Sequence, residues 1–189
     1  MRLPPSCLAL CAALLAVPGQ AHEPPAPAKS PLPVRKSGLW EVTVRSDTPE
    51  PRQGQTVLQC TSAEAEPVML MSIVPGQENC RKVKATRRRA KGGGYDIHTV
   101  CYVHDNRIEA RMELAGDLRS GYTGRFSVKF AQAPISDPGP RAFEGRWLGA
   151  CKPGQRPGDM VLPNGVTVNV VDDKKRAEAH EREEHGHAH

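Results

Sequence analysis

The sequence predicts a mainly β protein: an antiparallel meander that forms a small barrel or sandwich, carries one short helix and is stabilised by disulfides. Three observations predict it. Successive short stretches alternate apolar and polar side chains, the period of a strand with one buried face. Eighteen prolines and seventeen glycines among 189 residues break these stretches with turns. Once an apolar leader is set aside, the cysteines are even in number, which suits pairing in an oxidising compartment.

The leader is Met1 to Ala21, read as a secretory signal peptide. Arg2 supplies the positive start, Cys7 to Val17 the apolar run, and Gly19-Gln20-Ala21 the small residues of a cleavage site. The run is too short to span a membrane. Leu8-Ala9-Leu10-Cys11 superficially resembles a lipidation box, but Leu10 is bulky and Cys11 lies inside the run, so lipidation is not expected. The expected location is periplasmic or secreted. Removal of the leader takes Cys7 and Cys11 and leaves Cys60, Cys80, Cys101 and Cys151. Residues 22–35 form a proline-rich linker, and His22 to Pro33 has no apolar set to bury, so it should be extended and exposed.

A β-domain is expected over residues 36–171. In Gly38 to Arg45, Trp40, Val42 and Val44 should face inward. Ser46 to Gly54 is a loop, and Gln55 to Cys60 a second strand with Leu58 and Cys60 on one face. Thr61-Ser62-Ala63-Glu64 has the spacing of a capping box, and Pro67 suits the first turn of a helix. Val68-Met69-Leu70-Met71 would make that helix a flap plugging one end of the sheet. Methionines there read as gap-fillers rather than copper ligands, which would need more sulfur in open geometry.

Arg81 to Lys91 contains basic residues and no acid. Its start reads as an edge strand protected by charge. The alternative is contact with an anionic envelope surface through Arg81, Lys82, Lys84, Arg87, Arg88, Arg89 and Lys91. Aromatic side chains do not interleave the cations, so specific nucleic-acid binding is not expected. Tyr95 to His104 is the next strand, with Ile97, Thr99, Cys101 and Val103 on one side. His98 and His104 share the other face, but acid–base or metal chemistry there would need a third convergent group. Arg107 to Leu114 turns Ile108, Ala110, Met112 and Leu114 inward, and Tyr122 to Phe130 turns Tyr122, Phe126, Val128 and Phe130 inward.

The stretch Phe143 to Asp159 organises the rest. Phe143, Gly145, Trp147, Gly149 and Cys151 fall on one face of the last long strand, and the glycines leave room for a neighbouring chain or ring. The strand reading pairs Cys60 with Cys80, which bracket the flap, and Cys101 with Cys151, both on inward faces. Val166, Val168 and Val170 make a last edge strand.

Gly38-Leu39-Trp40-Glu41-Val42, Gln59-Cys60, Gly76-Gln77 before Cys80, Cys101, and Gly145-Arg146-Trp147-Leu148-Gly149-Ala150-Cys151 with Pro157-Gly158-Asp159 together resemble a bacterial exported family called domain of unknown function 3617. The resemblance covers roughly Lys36 to Gly165. It implies a small envelope or secreted protein and supplies no catalytic residues.

Residues 172–189 form a charged tail, expected to be disordered or a fraying helix. Four of the seven histidines lie in it, His180, His185, His187 and His189. They are the candidate ligands for zinc, copper or nickel, and otherwise the tail is a solubilising one. No cofactor is expected in the domain itself. The chain is mildly basic, +5 overall, which permits an anionic partner without demanding one. Neither a Gly-x-Ser-x-Gly elbow, a P-loop nor a His-Glu-x-x-His occurs. The expected function is a non-enzymatic exported domain that binds an envelope ligand or partner. The alternatives are metal buffering through the tail and an envelope enzyme.

Overall fold

The structure is a computed structural model that describes residues 31–46, 54–89, 93–103, 106–132 and 139–186. The leader, Lys91, His104, His187 and His189 lie outside the described residues. Among the described residues nine strands form one antiparallel sheet: β1 (Gly38–Ser46), β2 (Gln55–Thr61), β3 (Cys80–Arg87), β4 (Tyr95–Val103), β5 (Asn106–Asp117), β6 (Gly121–Phe130), β7 (Arg141–Gly149), β8 (Asp159–Val161) and β9 (Thr167–Asn169). Two helices, α1 (Glu66–Met69) and α2 (Val170–Gly186), and a 3₁₀ turn at Gln77–Asn79 complete the fold.

The spatial order is β3-β4-β5-β6-β7-β1-β2-β8-β9. The expected meander is present from β3 to β7. Its last strand then pairs with β1, which carries its own hairpin partner β2. The sheet is not closed, since β3 and β9 are its two edges. Consequently the chain after β2 must cross to the far edge to begin β3. That crossing is the flap, residues 62–79. Leu70, Met71 and Val74 of the flap join Trp40, Val42, Ile97, Ile108, Met112, Phe126 and Phe143 in one buried cluster. The alternation in β5 and β6 holds as read, with Ile108, Ala110, Met112, Leu114, Tyr122, Phe126 and Val128 all buried.

The capping box read at Thr61–Glu64 does not cap a helix: α1 begins at Glu66 after Ala65, which offers no side-chain cap, and Thr61 Oγ1 turns to the Glu66 carboxylate instead. Ser62 Oγ accepts from the Ala65 amide at 3.3 Å in the turn before it, and Pro67 stands in the first turn of α1 as read. Met69 is fully buried in a second cluster with Ala65, Met160 and Val170. The methionines are core.

Three further expectations are corrected. Leu32, in the stretch read as exposed, and Arg35, at the end of the linker, are 6% and 2% exposed. Residues 35–37 strap the end of the sheet: Trp40 Nε1 donates to Lys36 O at 2.8 Å, Trp147 Nε1 donates to Ser37 O at 3.2 Å, and Lys36 Nζ lies 3.3 Å from the Trp147 ring centre. The tail is helical over Val170–Gly186, so Val170 opens a helix instead of ending a strand. Asn169 Oδ1 caps it by accepting from the Asp172 amide at 3.0 Å, and Asp172 and Asp173 suit the positive end of its dipole. Ion pairs Arg176–Asp173 and Lys174–Glu178 follow along its surface.

The disulfides are the third correction. All four cysteines pair, but as Cys60–Cys151 and Cys80–Cys101. Cys80 and Cys101 are directly opposite on β3 and β4. The other bridge follows from two shifts of face. On β2 the inward side is Val57, Gln59 and Thr61, since Val57 pairs with Val42 and Gln59 with Trp40. Cys60 therefore points to the opposite face. Between Leu39 and Trp40 the pairing with β7 slips, which moves the end of β7 out of the alternation begun at Phe143. Cys151 then meets Cys60 across the end of β1.

Candidate functional site

Beneath the flap lies a polar knot that the alternation of the strands does not announce. Arg35 Nε and Nη2 donate to the two oxygens of Glu66, the second at 3.1 Å. Arg35 Nη1 donates to Gln59 Oε1 at 2.8 Å and to Tyr122 Oη at 2.7 Å. Thr61 Oγ1 donates to Glu66 Oε2 at 2.7 Å. Both charged side chains are fully removed from solvent. The guanidinium also sits 5.5 Å from the ring centres of Trp40 and Tyr122. Burial alone would lower the Arg35 pKa, but the charges of Tyr122 and Glu66 and its bonds to both raise it above the usual arginine value. Burial pushes the Tyr122 phenol up. The knot ties four separate segments together: the strap through Arg35, β2 through Gln59 and Thr61, the flap through Glu66, and β6 through Tyr122.

Gly145 makes the placement of Tyr122 feasible. A Cβ there would lie 2.1 Å from Tyr122 Cζ, so the phenol ring occupies the space that glycine leaves on β7. This is the room for a ring that the glycine–aromatic alternation predicts.

Beside the knot, the flap does not fill the sheet completely. An open cleft of about 370 Å³ runs between flap and strands, walled by Val44, Val57, Ile73, Val128, Met160 and Leu162. Arg141 and Gln55 stand on its lining with Ser72. Ser72 Oγ is already engaged, donating to Met69 O at 2.9 Å and accepting from Gln59 Nε2 at 2.8 Å. The lining has no His, Cys, Asp or Glu among its described residues. The arrangement can therefore hold an apolar body with a guanidinium beside it. It does not assemble a nucleophile and a base.

The other residues singled out from sequence are elsewhere. His180 is exposed on α2, and His185 follows it on the same helix. Among the described residues there is no group of three His, Cys, Asp or Glu placed to hold a metal ion. The basic run does not act as one patch. Lys82 and Lys84 are exposed on β3, whereas Arg88 folds back to donate to Leu114 O at 2.9 Å. Arg35, Glu66 and the cleft are the features that sequence reading missed. The only signal was Glu66, a charged residue directly before the apolar run Val68-Met69-Leu70-Met71.

The profile of the family described as "Protein of unknown function (DUF3617)" matches residues 35–151. The matched span begins at Arg35 and ends at Cys151, so it contains the whole knot and both disulfides. Met160 and Leu162 of the cleft lie beyond it. No curated protein and no solved structure matches the chain.

Proposed function

We propose that this chain, which belongs to the DUF3617 family, is an exported, non-enzymatic binding domain that takes an amphipathic small ligand into the cleft beneath its flap. The cleft carries the reading: about 370 Å³ falls within the range of small-molecule sites, and such sites are mostly apolar with a few polar groups that orient the ligand. Arg141 suits a carboxylate or phosphate head, while the aliphatic walls suit a hydrocarbon tail. The reading of an exported protein is supported by the apolar leader and by two disulfides, which persist in oxidising compartments. No helix among the described residues is long and apolar enough to cross a membrane.

Native mass spectrometry of protein purified from its own envelope should show a retained lipid-like mass. Calorimetric titration with a medium-chain fatty acid should give saturable uptake that Ile73→Trp, which fills the cleft from the flap, abolishes. Absence of uptake by the unsubstituted protein, or equal uptake by Ile73→Trp, would overturn the reading.

A further inference from the structure

We propose that the outer face of β3, β4 and β5 is a docking surface for an anionic lipid bilayer. Strand register brings together basic side chains that the sequence keeps far apart. Lys84, His98 and Arg111 lie in one row across three strands, each directly opposite the next. The adjacent row runs Lys82, Val100, Glu109 and Lys129. Lys82, Lys84, Arg111 and Lys129 are all exposed. At the end of the patch, Arg81 stacks 4.6 Å from the Tyr102 ring centre.

The acids nearby do not neutralise this array. Glu109 is engaged by Arg107 at 2.6 Å and lies 3.7 Å from His98. The Arg107 bond and charge, with a smaller contribution from His98, hold the Glu109 carboxyl below the usual range. Asp96 and Glu113 flank the row on the other side, where Arg88 approaches them at 3.6 and 3.7 Å.

Protection of a sheet edge explains lysines on β3, because lysine discourages pairing by another chain. It does not explain Arg111 on β5, which is paired with His98 on one side and Ser127 on the other. The cations spread in two dimensions, about 4.8 Å apart across strands and about 7 Å apart along them. A thread-like polyanion would engage one line of such an array, whereas a layer of headgroups can engage all of it. Tyr102, with Arg81 on its ring, is not free as a base-stacking platform.

Sedimentation of the full chain with vesicles tests this. It should bind vesicles of equal phosphatidylglycerol and phosphatidylcholine at low salt, ignore pure phosphatidylcholine, and be released as salt rises to about 0.5 M. Lys84→Gln combined with Arg111→Gln should weaken binding about thirty-fold, from two cations lost near an anionic surface. Lys152→Gln combined with Lys175→Gln removes the same charge from exposed positions elsewhere and should change binding less than three-fold. Thermal unfolding of both variants separates a loss of surface from a loss of fold. Equal weakening by the two pairs, no binding to the anionic vesicles, or binding to heparin without binding to vesicles would each overturn the proposal.

Discussion

Replacing Arg35 by methionine leaves Glu66 in a fully buried site with its main counter-charge gone. The substitution removes the contacts of Nε and Nη2 with Glu66 and the bonds of Nη1 with Gln59 and Tyr122. What stays on the carboxylate is Thr61 Oγ1 and the Arg35 amide at 3.3 Å. Breaking a buried pair by removing one member costs about 3–5 kcal/mol. Glu66→Leu strands the opposite charge and should cost a similar amount. Removing both should not cost the sum, because neither charge is then left alone. It will not be neutral either, since Gln59 Oε1 and Tyr122 Oη lose their donor. The expected coupling between the two sites is about 3 kcal/mol, at the upper end for interacting pairs. Urea unfolding followed by tryptophan fluorescence measures it. With a slope near 2 kcal/mol per molar, each single variant should lower the midpoint by about 2 M, and the double variant should lie well above the additive value. Additive single and double variants would refute the view that Arg35 and Glu66 act as one unit holding the flap down.

Four further outcomes follow from the same structure. Peptide mapping without reduction should recover Cys60 linked to Cys151 and Cys80 linked to Cys101. Removing the first bridge, by paired Cys→Ala substitutions, should cost about 1 kcal/mol more than removing the second, because it closes a separation of 91 residues against 21. Gly124→Ala should strongly destabilise, since its Cβ would come within 2.4 Å of Glu113 O and 2.3 Å of Phe143 Cζ; a melting temperature within a degree or two of the parent would contradict this packing. The buried Tyr122 phenol keeps its proton after the unfolded phenol has lost it, so its contribution to stability is complete below pH 10.0 and falls as pH rises from there towards the raised folded value. Tyr122→Phe should flatten the alkaline limb of a stability–pH curve.

Local pattern alone determined the strands from β1 to β7, but not the short β8. Period-two alternation in Arg107 to Leu114 and in Tyr122 to Phe130 names the buried face residue by residue, because each side chain's direction is set by the one before it. Proline likewise places the first turn of α1, and the glycine at 145 foretells a ring laid over it. Capping and ion pairing carried the tail into a helix, though composition alone left disorder open. Tertiary structure decided what depends on which strands become neighbours. The disulfide pairing turned on a one-residue slip between Leu39 and Trp40 and on the inward side of β2, neither of which has a local signature. Arg35 and Glu66 are 31 positions apart, and each looks like a surface residue until the flap folds over the strap. Lys84 and Arg111 become cross-strand neighbours of His98 only through register. A side chain's face is written in its own strand, but its partner is chosen by the topology of the sheet.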